Sequence, residues 1–247
     1  MADNLETGTG RTLAYHKTHG EGPGIVFLGG FMSDMNGTKA VYLEDWARRQ
    51  GRAFLRFDYS GHGESSGSFE DGCIGDWAED AYAAVTALTE GPQILVGSSM
   101  GGWIALLLAR RIPDRICGLV GIAAAPDFTE DSMWPCLNDT QKHQISKDGQ
   151  TLMPNPYDAP YTLTRRLFQD GRNHLVLRRP LALPFPVRLL QGTADEAVET
   201  SVPLRLIEHA ECEDMRLTLV KDVDHRFSSP DCLTMITDTI NDVSGAR

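Results

Sequence analysis

Short, nearly continuous apolar runs alternate along the chain with longer segments whose apolar residues recur at helical spacing. Apolar runs without alternation are typical of strands buried on both faces of a sheet. We predict such strands at residues 24–28, 94–96 and 117–125, and further strands of the sheet at residues 53–58, 186–191 and 215–220. Residues 12–18 alternate between apolar and polar and are predicted to form an edge strand.

Helical periodicity fills the gaps between these strands. We predict helices at residues 35–49, 73–90, 104–109 and 202–209, and a last helix after Pro230. Strands that alternate with helices are typical of an α/β fold with a mostly parallel central sheet and helices on both faces. We therefore predict a single domain of residues 1–247.

The stretch at about residues 126–185 interrupts the alternation. It is rich in proline and aromatic residues, and it is too long for a bare loop between two strands of a compact domain. We predict a small, partly helical cap insertion over the mouth of a site. The alternative is a packing insert that does not contact substrate.

Composition narrows the class of protein. The chain has 247 residues, 41% of them hydrophobic, and a formal net charge of −11. That charge argues against nucleic acid and anionic membranes as partners, since both attract basic surfaces. The five cysteines are scattered, the N-terminus has neither a basic nor an apolar targeting region, and no apolar run is long enough to span a bilayer. We therefore predict a cytoplasmic protein without a membrane span; the sequence does not predict its oligomeric state.

A sharp strand–turn–helix motif carries the strongest chemical signal. The apolar run 94–96 stops at Gly97-Ser98-Ser99-Met100-Gly101, and helix-forming residues follow at once. This Gly-x-Ser-x-Gly layout is typical of a nucleophile elbow, in which glycines allow strand and helix to close on each other and the serine hydroxyl is exposed at the apex. The alternative is a small-residue turn that only packs a helix on a strand.

Two backbone amides are candidate oxyanion donors. The N–H of Met100 lies at the start of a helix, where backbone donors are free to bind an anion. The early buried strand 24–28 ends in Gly29-Gly30-Phe31, where such a fold places its second donor, and we predict that the Phe31 N–H supplies it. The alternative is a plain glycine turn.

A serine nucleophile requires a base, and the base requires an acid. Ser99 is followed along the chain by Asp195 and then by His225, and both follow predicted strands at the carboxyl edge of the sheet, where catalytic groups collect. We predict that Asp195 is the acid and His225 the base. Competing acids are Glu196, Asp222 and Asp224. Another histidine, His62, lies between two glycines and is predicted to be structural or to line the rim of the site.

The chain resembles the α/β-hydrolase superfamily along nearly its whole length. Within it, residues 30–40, 56–61, 91–99 and 224–226 are similar to the branch that contains acyl-glucuronide esterases and palmitoyl-protein thioesterases. The resemblance implies an α/β-hydrolase fold and places the nucleophile, acid and base of the family on Ser99, Asp195 and His225. Gly29 stands where many members have a histidine.

These observations together predict a serine hydrolase of carboxylic esters or thioesters that works through an acyl-enzyme. Its substrate is expected to be a small molecule or an acyl conjugate, and the chemistry requires no metal or organic cofactor. An amidase or peptidase on the same fold is the alternative enzyme, because the triad is shared. A non-catalytic ligand-binding receptor is a further alternative.

Overall fold

A computed structural model describes residues 2–154 and 160–245. The strands within these ranges are β1 (Asp3–Glu6), β2 (Thr12–Thr18), β3 (Glu21–Leu28), β4 (Arg52–Phe57), β5 (Gln93–Ser98), β6 (Ile116–Ile122), β7 (Gln150–Met153), β8 (Tyr161–Thr164), β9 (Leu181–Ala182), β10 (Val187–Gly192), β11 (Ala210–Glu211) and β12 (Met215–Val220). The α-helices are α1 (Thr38–Arg49), α2 (Ile74–Leu88), α3 (Met100–Arg111), α4 (Trp134–Cys136), α5 (Asp139–Asp148), α6 (Arg165–Asn173), α7 (Ser201–His209) and α8 (Pro230–Ser244).

One large sheet organises the fold. It has eight strands in the order β1-β2-β4-β3-β5-β6-β10-β12. The pairs from β4 to β12 are parallel, whereas β2 is antiparallel to both β1 and β4. The predicted α/β class with a mostly parallel sheet is confirmed.

Helices cover both faces of this sheet, which explains why its central strands are continuously apolar. In β5, Leu95 packs with α2 and α3, whereas Ile94 and Val96 point to the other face and pack with α1 and α8. Each residue of β5 is buried. A strand covered on both sides has no solvent-facing positions, so it shows no polar alternation.

The predicted edge position of β2 is wrong. The short strand β1 pairs antiparallel with β2 and lies outside it, at the true edge of the sheet. The side chains of β1 are mostly exposed. A polar four-residue edge strand lacks the hydrophobic pattern that reveals a buried strand, so its pairing depends on β2 alone.

Between β6 and β10 the chain forms α4, α5, α6, the antiparallel ribbon β7–β8 and the short strand β9. Leu163, Leu167 and Phe168 from this segment are buried in the same apolar cluster as α2 and α3. Residues 155–159 of the predicted cap lie outside the described residues. That this segment caps the site, and that residues 1–247 form a single domain, stay predictions.

The register of the parallel strands aligns their carboxyl ends. Leu28 of β3 pairs with Gly97 of β5, and Ser98 pairs with Ile122 of β6. The loops that leave these strands therefore begin at one level of the sheet. Those that leave β10 and β12 are aligned in the same way, with Gly192 opposite Val220.

Candidate active site

Ser99 occupies a strained turn between β5 and α3. β5 ends at Ser98 and α3 begins at Met100, so Ser99 alone makes the change of chain direction between strand and helix. Ser99 has φ +53° and ψ −118°, and such left-handed backbone is costly for a residue with a Cβ. Strain of this kind at a polar residue marks a candidate functional position.

Two glycines allow this turn to close. A Cβ on Gly97 would lie 2.4 Å from the carbonyl oxygen of Gly101, and a Cβ on Gly101 would lie 2.0 Å from the carbonyl oxygen of Leu28. Both obstacles are backbone atoms, which cannot move without displacing a strand or a helix. The predicted close approach of strand and helix at this turn is confirmed.

Gly101→Ala is expected to destabilise the protein by about 3 kcal/mol, at the upper end of the range for overpacking. The physical reason is the clash of the new methyl group with the end of β3. Urea unfolding with the midpoint and slope fitted together measures the loss. Gly8→Ala is the matched control, because a Cβ at Gly8 meets nothing within 4 Å, and its change should stay within about 0.5 kcal/mol. Equal midpoints for the two variants would contradict the prediction.

The structure brings Ser99, His225 and Asp195 together. The Nε2 atom of His225 lies 3.1 Å from the Ser99 Oγ, and its Nδ1 atom lies 2.8 Å from the Asp195 Oδ2. An ionised carboxylate only accepts hydrogen bonds, so Nδ1 carries the proton and Nε2 is left to accept from the serine hydroxyl. The imidazole therefore holds the tautomer that a general base for Ser99 requires.

The Asp195 carboxylate is held by donors on every side. Its Oδ1 accepts from the backbone N–H groups of Ala197 and Val198, at 2.9 and 2.8 Å, and its Oδ2 also accepts from the Gln191 amide at 2.9 Å. Its side chain is 0% exposed, whereas that of His225 is 30% exposed. Burial by itself would raise the pKa of Asp195, but the hydrogen bonds from His225 and Val198 outweigh it and lower the pKa below its usual value. The carboxylate is thus kept charged beneath an imidazole that is partly open to solvent.

The competing residues lie elsewhere. Asp224 accepts the backbone N–H of Phe227 at 3.3 Å and so caps its own loop. Asp222 has φ +60° and forms part of the turn after β12, while Glu196 is exposed. His62 is only 4% exposed and lies within a cluster of aromatic rings.

The two predicted oxyanion donors flank Ser99. Met100 is the first residue of α3, so its N–H has no acceptor within the helix. On the other side, a Cβ built on Gly30 would lie 3.5 Å from the Cβ of Ser99, so the turn that contains Phe31 is in contact with Ser99. The Phe31 ring packs edge-on against four other rings, at centroid distances between 4.8 and 5.9 Å: Phe69, Trp77, Phe128 and Tyr161. The side chain thereby anchors the turn, a role that the sequence did not indicate.

Sequence reasoning also missed two residues that contact Asp195 or the loop that carries His225. Gln191, fully buried near the end of β10, donates to both Asp195 and the carbonyl of Val198; a polar side chain at the end of an apolar strand was the available signal. Lys39 of α1 donates to the carbonyl of Arg226, the residue after His225, at 2.5 Å. Burial lowers the pKa of Lys39 to about 8. The sequence offered no signal for this contact between α1 and the loop that follows β12.

Known proteins share this architecture. Residues 25–198 match the alpha/beta hydrolase fold family. The mitochondrial palmitoyl-protein thioesterase ABHD10 of Rattus norvegicus is 36% identical over 94% of this chain and 78% of its own length. The crystal structure of a putative hydrolase from Agrobacterium vitis superposes with a TM-score of 0.93 at 38% identity, over 98% of this chain and 97% of that one. Mouse alpha/beta hydrolase domain-containing protein 10 superposes with a TM-score of 0.91 at 33% identity, over 99% and 98% of the two chains.

The prediction of a cytoplasmic protein is wrong. The similar rat, cattle and mouse proteins are named as mitochondrial. The prediction used scattered cysteines and the absence of a visible targeting region; cysteine pattern reports redox conditions, and these do not distinguish one reducing compartment from another. Within residues 2–154 and 160–245, no helix combines the length and apolarity needed to cross a bilayer.

Proposed function

This chain belongs to the alpha/beta hydrolase fold family, and from that premise we propose that it is a hydrolase of carboxylic esters and thioesters in which Ser99, His225 and Asp195 act as the catalytic triad. The observation that carries the proposal is the continuous hydrogen-bonded path from the Ser99 Oγ through both imidazole nitrogens to a buried carboxylate. Relatives named as palmitoyl-protein thioesterases support the ester or thioester class.

In the proposed acylation step, the Ser99 Oγ attacks the acyl carbonyl carbon while His225 Nε2 takes the hydroxyl proton. The carbonyl oxygen becomes an oxyanion, which the N–H groups of Phe31 and Met100 bind. Each such donor is worth about 3–4 kcal/mol in the transition state. As the tetrahedral intermediate collapses, His225 returns the proton to the leaving alcohol or thiol, and the acyl group stays on Ser99 as an ester.

Deacylation repeats these steps with water. His225 takes a proton from a water molecule, which attacks the acyl-enzyme, and the carboxylic acid leaves as Ser99 regains its proton. Asp195 stays ionised throughout and stabilises the imidazolium that forms twice in each turnover. The net reaction converts one ester or thioester and one water into an acid and an alcohol or thiol.

For the substrate, we propose acyl conjugates, with acyl-thioesters of the acyl-protein type placed before acyl-glucuronides. Two features favour an apolar acyl group. Met32, directly after Phe31, is 49% exposed. On the β7–β8 ribbon, Tyr161 pairs with Met153 and packs its ring against Phe31, and both side chains of this pair are only partly buried. Apolar side chains beside the turn at residues 30–33, here called the oxyanion turn, would bind a fatty chain better than a sugar.

A substrate panel with an active-site probe tests the proposal. We expect a fluorophosphonate to label Ser99 in the folded protein. We also expect medium- and long-chain acyl-thioesters and p-nitrophenyl esters to be hydrolysed with higher kcat/KM than aryl amides. Faster cleavage of the amides would identify an amidase. Absence of labelling and turnover, with ligand binding unaffected by Ser99→Ala, would identify a receptor instead.

A further inference from the structure

His62 lies directly behind the oxyanion turn and contacts its backbone. Its Nε2 lies 3.3 Å from the backbone nitrogen of Met32, and its Nδ1 lies 3.2 Å from the carbonyl oxygen of Ser60. The imidazole is 4% exposed. It packs edge-on against Phe69 and Trp77, each at a centroid distance of 5.2 Å, and both of these rings also pack against Phe31.

The two partners of His62 allow only one protonation state. The Met32 N–H can only donate, so Nε2 must present its lone pair. The Ser60 carbonyl can only accept, so Nδ1 must carry the proton. Neutral imidazole with the proton on Nδ1 satisfies both groups, whereas imidazolium would direct an N–H at the Met32 N–H. Burial lowers the pKa of His62, which favours the same neutral form.

The hydrogen bond between Met32 and His62 involves the central peptide unit of a β-turn, and the orientation of that unit decides the type of the turn. The N–H of Ser33 donates to the carbonyl of Gly30 at 3.2 Å, so Phe31 and Met32 are the two central residues of a β-turn. Met32 has φ +55°, which is typical of the second central residue of a type II turn and is usually occupied by glycine. Type I and type II turns differ by a flip of the central peptide, which here carries the Met32 N–H. A methionine at this position disfavours the type II form, so a compensating contact is required to hold it.

We propose that His62 is a positioning residue for the oxyanion turn: by accepting the Met32 N–H, it holds the central peptide in the type II form and so fixes the Phe31 N–H against Ser99. The inference rests on the proposed function, since it assigns His62 to the same site. His62 touches neither the nucleophile nor the substrate and acts only through the turn.

The test compares His62→Phe with His62→Gln. Phenylalanine keeps an aromatic ring among Phe69 and Trp77 but removes the acceptor. Glutamine loses the ring but places an amide oxygen near the position of Nε2, where it can accept the Met32 N–H. For each variant we would measure kcat and KM with a p-nitrophenyl ester, the inhibition constant of a trifluoromethyl ketone that adds to Ser99 as an oxyanion, and the melting temperature.

If His62 positions the donor, His62→Phe lowers kcat about 10- to 100-fold, the range expected when a catalytic group is misplaced by an ångström or one oxyanion donor is weakened. KM stays near the wild-type value, the trifluoromethyl ketone binds more weakly by a similar factor, and His62→Gln recovers most of kcat. An unchanged kcat in His62→Phe overturns the proposal. So does a loss that follows melting temperature in both variants, or a change confined to KM, because each indicates a role in stability or substrate binding. If the wild-type protein hydrolyses none of the esters and is not labelled by fluorophosphonate, the proposed function itself is refuted. This result differs from those that overturn only the role of His62, because they require an active wild-type enzyme.

Discussion

Ser99→Ala is expected to lower kcat for ester and thioester hydrolysis by about 10⁶-fold, the loss seen when the nucleophile of a serine triad is removed. Alanine has no hydroxyl to attack the acyl carbon or to pass a proton to His225, which lies 3.1 Å away. The remaining groups, His225 and the two proposed oxyanion donors, would support only residual catalysis by water. Steady-state rates with an acyl-thioester and a p-nitrophenyl ester measure the change, and mass spectrometry after fluorophosphonate treatment locates the labelled residue.

The control for this variant is the same substitution at an exposed serine. Ser146→Ala, on α5, should leave kcat/KM unchanged within about twofold, since surface substitutions away from special features have small effects. Ser99→Ala keeps a Cβ at φ +53°, so its unfolding free energy should stay within about 0.5 kcal/mol of the wild type. Turnover by folded Ser99→Ala at more than about a hundredth of the wild-type rate would contradict Ser99 as the nucleophile.

Asp195→Asn is expected to lower kcat by about 10⁴-fold, the effect of placing the triad imidazole in the wrong tautomer. The surrounding donors decide how the new amide lies. Two backbone N–H groups, from Ala197 and Val198, point at the Oδ1 position, so the amide oxygen must occupy it. The NH₂ group then takes the Oδ2 position and donates to His225 Nδ1. The imidazole proton moves to Nε2, which no longer accepts from Ser99.

Neighbouring acids provide matched controls for this second variant. Glu196→Gln and Asp222→Asn remove one negative charge each from the same edge of the sheet without touching His225, and each should keep kcat within about threefold of the wild type. KM should change little in Asp195→Asn, because the interaction it removes is stronger in the transition state. A loss of similar size in Asp222→Asn, or near-normal kcat in Asp195→Asn, would assign the acid role elsewhere.

The fold was largely predictable because its signals are local. Continuous apolar runs correspond to β3, β5, β6 and β10, since a strand covered on both faces has to be apolar along its length. β1 gave no such signal, because its exposed side chains are polar and its position depends on pairing with β2. The order of strands across the sheet could not be predicted either, since pairing is a contact between segments distant in sequence.

Some parts of the candidate site could likewise be predicted and others could not. The elbow was recognisable because strand, Gly-x-Ser-x-Gly and helix are contiguous, and the order of Ser99, Asp195 and His225 along the chain indicated which residues were candidates for the acid and the base. Gln191, Lys39 and His62 act through contacts with residues 4, 187 and 30 positions away. When a polar residue is predicted to be buried, the sequence indicates only that it requires a hydrogen-bond partner. The identity of that partner depends on the packing of the folded protein.

The sequence by itself determined the α/β class, the sharp turn at Ser99 and the set of residues able to serve as acid and base, because these follow from hydrophobic period, glycine spacing and side-chain chemistry within short stretches. Only the tertiary structure decided that Asp195, and not Asp224, meets His225, that the Phe31 ring anchors the turn at residues 30–33, and that His62 lies behind that turn and not at the rim. Each of these outcomes depends on the aligned carboxyl ends of parallel strands, which bring together loops separated by as many as 126 residues. That alignment results from the register of the whole sheet, to which every strand contributes and which no single stretch specifies.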